Sequence, residues 1–325
     1  MATSLLSAQG LTDRELEFRR SHIGASESAS IMGYNPWRNA ADIYYAKVAG
    51  IESEASPMAR AGQALEPIIL NHAAEQLEVD VNFQNKRRVY PDESAHMQAT
   101  IDAFITGRNE IIEAKLTGDF AFKKFQENPA NINDRWGDEW TDMVPRCYMV
   151  QVVHQLHVLR AQTGEAWGKG YVALRIGLTD QRMYVVSYNA EIGNAIEETC
   201  RDFWAKHVAL GIPPTECAAG SDTLARIPRV AGKTVRDMDP TWIPAYERAH
   251  ADFTAAEKAK EDTRGQILQF MGDAEIAIDT AGRVATYRQV NASRFDAKGF
   301  RAAHPELGVQ FTSNTQSRRF SVRTK

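Results

Sequence analysis

Two short runs, residues 99–105 and 110–116, constrain this chain most, because both carry acids and together they read as a hairpin. The four residues between them, Thr106-Gly107-Arg108-Asn109, have turn chemistry, so the stretch predicts an antiparallel hairpin. Pairing Ile105 with Glu110 brings Asp102 directly opposite Glu113, and Lys115, two residues on, shares their face. Carboxylates opposed in this way stand roughly 5 Å apart and repel, which destabilises a bare sheet. A cation between them removes the conflict. Asp and Glu oxygens with no soft ligand nearby suit Mg2+ or Mn2+.

This layout of an Asp, a spacer and Glu-x-Lys resembles the PD-(D/E)XK nucleases, although Ile101 stands where a proline is expected and Ala103 where glycine is frequent. The rest of the chain supplies context. Its 325 residues, 43% hydrophobic and 25% charged, suffice for one large or two modest domains. The first ten residues lack a basic stretch followed by a long apolar run, and no apolar stretch approaches a membrane span, so a cytoplasmic protein is expected. Cys147, Cys200 and Cys217 are scattered singly, which argues against an iron–sulfur cluster or a paired-cysteine zinc site. From Arg283 to Lys325 nine Lys or Arg face two acids; this tail carries +7 of a net −4, leaving −11 for the remainder. A basic end on an acidic body suits either a phosphate-tracking surface or a solvated tail.

Four further segments surround the hairpin. Around residues 19–37, Ser26 follows Gly24-Ala25 as an N-cap opening a short helix; with Arg19 nearby, such a terminus either holds a phosphate or is an ordinary capped helix. A second helix is expected from Gly62 to about Leu77, buried along Leu65, Ile69, Ala73 and Leu77. Glu66 beside that stripe either reaches a metal shell or rests at the helix N-terminus. A third helix begins near Pro145 and aligns Tyr148, Gln151 and Gln155 on one face, where Gln151 is expected to point into a charged place. His154 and His157 on the same helix lack further metal ligands and read as satisfied or exposed histidines. Strands near 171–174 and 183–186 and a helix from Glu191 to about Ala209 end at the Gly-Pro stop 211–214, the expected domain boundary.

Taken in order, these segments resemble the YqaJ-like viral recombinase family, the lambda-type phage exonucleases of the same superfamily. The resemblance covers about residues 14–214 and rests on Arg19 with Ile23-Gly24-Ala25-Ser26, Gly62-x-x-Leu65-Glu66-Pro67, Asp102, Glu113-x-Lys115 and Pro145-x-x-Tyr148-x-x-Gln151. Where the family often carries an aromatic residue, four positions after Gln151, this chain has Gln155. The resemblance implies an α/β fold, a PD-(D/E)XK nuclease core with a central mixed β-sheet flanked by helices in residues 1–214. It also implies digestion of one strand of linear double-stranded DNA from its 5′ end, in a bacterial host, for phage recombination beside a single-strand annealing protein. On that basis Asp102, Glu113, Lys115, Glu66 and Gln151 are the expected catalytic residues. Two Mg2+ (or Mn2+) ions are expected per site, one on Asp102, Glu113 and the carbonyl of Ala114, the second facing Asp102 and supported by Glu66, with Gln151 as a further candidate. Lys115 would orient or deprotonate the attacking water. Arg19 and Ser26 would hold a 5′ phosphate, with Tyr148, Gln155, Arg318 and Arg319 also toward DNA. Family members form small rings, so a trimer or tetramer is expected by analogy.

Residues 215–325 read as an α+β accessory module. Pro240 to about Met271 is expected to be helical, interrupted at Gly265 and folded as a helical hairpin. A second β-hairpin spans residues 274–287, a helix runs from Phe295 to His304, and a last strand is expected at 318–322. Two other functions share parts of this pattern: a restriction-type or structure-specific endonuclease, and a non-catalytic DNA-binding scaffold.

Overall fold

The computed structural model describes residues 13–51, 56–84, 86–128, 134–313 and 320–322. By its internal contacts the chain forms two compact units, Met1–Pro228 and Arg229–Lys325. In chain order the first unit comprises α1 (Asp13–Ser21), β1 (Ile23–Gly24), α2 (Ala25–Ile31), α3 (Ala40–Ala49), α4 (Pro57–Leu77), β2 (Val81–Asn82), β3 (Arg87–Val89) and β4 (Met97–Thr100). It continues with β5 (Ala103–Ile105), β6 (Glu110–Thr117), α5 (Asp119–Glu127), α6 (Arg146–Thr163), β7 (Lys169–Ile176), β8 (Asp180–Ser187), α7 (Ala190–Phe203) and α8 (Ser221–Arg226).

Five strands form a mixed sheet in the order β2-β5-β6-β7-β8. β6 and β7 are parallel, and the crossover that parallel strands require is supplied by α5 and α6. Alternation along β6 divides the core in two. Ile112, Ala114 and Leu116 face α4, where they join Ile69, Leu70 and Ala73. Ile111 faces the other way, with Val172 and Leu174 of β7, against Val152 and Leu156 of α6. The central architecture is therefore α/β, a mixed sheet between helical layers.

The hairpin has the expected register: Ala103 pairs with Ile112 and Phe104 with Ile111. It differs in one respect. The run 99–105 is not one strand, because β4 belongs to a separate sheet, β1-β4-β3, and the chain crosses between sheets at Ile101-Asp102. Asp102 replaces a ladder acceptor with its own carboxylate, Oδ2 accepting from the Ala114 N–H at 2.9 Å.

Other boundaries depart from expectation for identifiable reasons. α4 starts at Pro57, not Gly62, because Ser56 caps it by accepting from the Ala59 N–H and proline fits the first turn. Glu66 is consequently mid-helix, and the dipole reading of it fails. α2 is capped through Gly24, whose N–H donates to Glu27 Oε2 at 2.7 Å, so Ser26 lies in the first turn rather than at the cap. The first unit also extends beyond the Gly-Pro stop: Asn39 Nδ2 donates to Ala218 O and Gly220 N to Asp42 Oδ1, each at 2.8 Å.

In the second unit α9 (Trp242–Met271) is one continuous helix through Gly265, not a helical hairpin. A glycine costs only about 1 kcal/mol in a helix, which the many Ala, Glu and Lys of this thirty-residue segment absorb. β9 (Ile276–Ile278) and β10 (Val284–Thr286) form the expected antiparallel hairpin, with Val284 opposite Ile278. α10 (Ala297–Ala303) and α11 (Pro305–Gln310) follow. Arg318 and Arg319 lie outside the described residues, and residues 320–322 carry no strand.

Two features of the core lead to measurable expectations. A Cβ on Gly170 of β7 would fall 2.6 Å from Val152 Cγ1 and 3.0 Å from Ile111 Cγ1, so α6 packs where β7 is bare. Gly170→Ala should destabilise the protein by about 1–3 kcal/mol, read from the urea midpoint. His154 is fully buried beside Ser28 and Gln98, and burial pushes it down from the ordinary 6.5 to about 3. Its neutral form contributes stability that is complete above pH 6.5 and is lost as the pH falls toward 3, because only the unfolded chain takes up the proton. Burial lowers His22 in the same direction. The urea midpoint should therefore fall on acidification, and His154→Asn should flatten that slope without abolishing it.

Candidate active site

Glu113 and Lys115, two apart on β6, face α6, and Asp102 reaches the same place from the break between the sheets. Helical spacing brings Gln151 and Gln155 of α6 down onto Glu113 together. Gln151 Nε2 donates to Glu113 Oε1 at 2.5 Å, and the Lys115 ammonium donates to the same oxygen. Gln155 Nε2 donates to Glu113 Oε2 at 2.7 Å and to the Thr100 carbonyl at 3.1 Å. One carboxylate thus accepts from three side chains, and only 4% of its side chain is exposed.

The electrostatics follow from burial of two acids with one base. Burial pushes the Asp102 carboxyl well above the carboxylate range, and the neighbouring Glu113 charge pushes it the same way; Lys115 opposes both. For Lys115, burial alone would favour the neutral amine, but Glu113 and Asp102 more than reverse that and hold the ammonium above its ordinary range. Its Nζ lies 5.4 Å from the centre of the Tyr148 ring, a cation–π contact. Burial pushes the Tyr148 hydroxyl up to about 12, so it is a neutral phenol at physiological pH.

The remaining expected residues are placed as follows. Glu66 comes from α4, which covers the opposite face of the sheet, and its Oε1 accepts from Lys86 Nζ at 2.9 Å. Its charge is nevertheless among those that raise Asp102. Lys86 was not anticipated, since its relation to Glu66 is purely tertiary. Gln155, expected toward DNA, is 1% exposed with its amide donors spent on Glu113 and Thr100, so it is a buried brace and not a DNA contact. The signal for that role was present: it shares a helix face with Gln151. Arg19 is in the last turn of α1 and Ser26 is exposed in the first turn of α2. One buried ammonium ties these two segments together. Lys47 Nζ donates to Glu27 Oε2 at 2.6 Å and to the Arg19 carbonyl at 2.7 Å, while the same Glu27 oxygen caps α2.

Among the described residues no three His, Cys, Asp or Glu side chains gather into a cage. Asp102 and Glu113 are instead two neighbouring acids, Glu113 buried and Asp102 half-buried, and burial together with the Glu113 charge holds the Asp102 carboxyl above the ordinary carboxylate range. Mg2+ keeps several waters and commonly takes one or two carboxylates plus substrate phosphate, so this pair fits it better than a metal needing a full protein shell.

Residues 16–166, which contain all of these side chains, match the YqaJ-like viral recombinase domain. The chain is 25% identical over 323 residues to the protein YqaJ of Bacillus subtilis (strain 168), covering 96% of this chain and 94% of that protein. Solved structures similar to it include an alkaline exonuclease from Laribacter hongkongensis, at 17% identity over 61% of this chain and 94% of that one, with a TM-score of 0.44. Another is a phage-related exonuclease from Haemophilus somnus 129PT, at 10% identity over 58% of this chain and 96% of that one, with a TM-score of 0.41. No described helix is long and apolar enough to cross a membrane.

Removing the Gln155 brace leaves a buried charged acceptor short of a donor. Gln155→Leu should lower stability by about 1–3 kcal/mol in urea unfolding, and Gln155→Glu, which adds a third acid, should cost more.

Proposed function

We propose that this chain, whose residues 16–166 match the YqaJ-like viral recombinase domain, is a metal-dependent deoxyribonuclease that digests one strand of linear duplex DNA from its 5′ end, leaving 3′ overhangs for recombination by strand annealing. The observation that carries the reading is the buried pair Asp102 and Glu113 with the Lys115 ammonium on the second acid. Two acids crowded together in a largely dry place are a poor structural device and a good receptor for a cation.

Asp102 and Glu113, with the Ala114 carbonyl, would hold Mg2+ or Mn2+; Glu66, once released from Lys86, would support a second ion. Bound there, such ions supply a water nucleophile at neutral pH and charge stabilisation worth several kcal/mol. The chain's own groups do the rest. Gln151 and Gln155 fix both oxygens of Glu113, so that it needs no reorganisation when substrate arrives. Lys115 brings positive charge to the phosphodiester and orients the attacking water. Arg19 and Ser26, at the ends of α1 and α2, take the terminal 5′ phosphate, and this fixes polarity by position. The basic residues of 283–325, Arg318 and Arg319 among them, track DNA phosphates. The protein acts on DNA ends in the bacterial cytoplasm, as a ring-like trimer or tetramer with a single-strand annealing partner.

The deciding assay uses linear duplexes labelled at either end, with and without a 5′ phosphate. Mg2+-dependent loss of the 5′ label first, faster with the phosphate, is expected, and a covalently closed circle should survive. Nicking of the circle would replace the exonuclease with an endonuclease. Glu113→Ala should reduce cleavage at least ~100-fold, about 3 kcal/mol of barrier, while circular dichroism shows an intact fold. Full activity of that variant would remove Glu113 from the site.

A further inference from the structure

Next to the acids, α5, the chain leading into α6 and the turn after α2 enclose a cavity of about 270 Å³ whose lining includes Trp37, Phe122, Lys124, Phe125, Trp136 and Tyr148. Five of these six are aromatic. Trp136 stacks on Tyr148 with ring centres 5.1 Å apart and planes at 29°, and Trp37 stands 6.5 Å from the same tyrosine. Trp37 is 66% exposed, an unusual state for a tryptophan beside an available apolar cavity. Tyr148 is common to both places: its ring lines the cavity and also lies under the Lys115 ammonium that bonds Glu113. The cavity therefore begins one side chain away from the proposed cleavage site.

We infer that this cavity is a nucleobase subsite, holding one unstacked base of the DNA strand whose backbone lies on Asp102 and Glu113. The inference rests on the nuclease reading above. A phosphate can reach the buried Glu113 and the half-buried Asp102 only if its nucleotide leaves the duplex stack, and unstacking costs a few kcal/mol. Stacking on protein aromatic rings returns about 1–3 kcal/mol per base and tolerates any sequence, because every base has a π-face. The space suits one base: it is smaller than the cavities of about 300–1,000 Å³ that enclose drug-sized ligands. Lys124 adds a positive charge to the lining, which suits an occupant attached to a phosphate backbone.

The test uses the full chain with chelator present, so that binding is read without cleavage. A 5′-phosphorylated duplex with 2-aminopurine at its 5′ end is compared with one abasic at that position. The intact end should bind about 5- to 100-fold more tightly than the abasic end, with 2-aminopurine emission quenched on binding. Trp37→Ala and Phe125→Ala should bring that ratio close to one and relieve the quenching. Phe120→Ala, on α5 but 80% exposed and outside the lining, should leave the ratio unchanged. A purely structural role for the aromatic residues would lower stability in their variants and keep the wild-type ratio, which would overturn the inference. A wild-type ratio of one alongside metal-dependent cleavage would overturn the base subsite alone. Absence of both end binding and metal-dependent cleavage would overturn it together with the nuclease reading.

Discussion

Two neighbouring acids, Glu113 buried and Asp102 half-buried beside it, are the constraint on which the central region is organised. Burial and the Glu113 charge push the Asp102 carboxyl above its ordinary range; Glu113 is tolerable there because an ammonium and two amides converge on it. Much of the surrounding architecture serves that compensation. β6 must run beside β7 so that α6 returns across the sheet, and α6 must pack closely enough, over the bare Gly170, for two successive glutamines to reach one acid. Leaving a buried carboxylate without its donors would cost several kcal/mol, a large share of the net stability of any domain.

The same arrangement explains which parts of the site could be read from the chain. The hairpin register was legible, because a short glycine-containing turn leaves little freedom in pairing, and a one-residue slip would turn Glu113 toward α4 and Ile112 toward the glutamines of α6. The convergence of Gln151 on a charged place was legible from helical spacing. What escaped was tertiary. Nothing in residues 99–105 shows that the run divides between two sheets, since the division depends on Asp102 taking the Ala114 N–H, twelve residues away. Gln155 has the polarity of a DNA contact, and only the distance to Glu113 shows it spent internally. Glu66 was misplaced because Gly62 drew the helix start; the capping serine and the proline, Ser56 and Pro57, carried the stronger signal.

The second unit offers less such constraint. Its long helix and β-hairpin follow local propensities, and few of its large apolar side chains are buried; Trp242, Phe253 and Phe270 all remain exposed. Local rules accordingly recovered its hairpin, whereas they misjudged Gly265, where helix continuity depends on the whole thirty-residue segment rather than on one residue.

The buried Lys47 ammonium has a geometric consequence of its own. By binding the end of α1 through the Arg19 carbonyl and the start of α2 through Glu27, it is a single reference point from which the spacing between Arg19 and Ser26 is measured. The two side chains are exposed enough to vary, but their backbones are not independent. Shortening or neutralising that one internal lysine would shift both anchors at once, so the ruler between them is kept in the core, out of reach of whatever the surface meets.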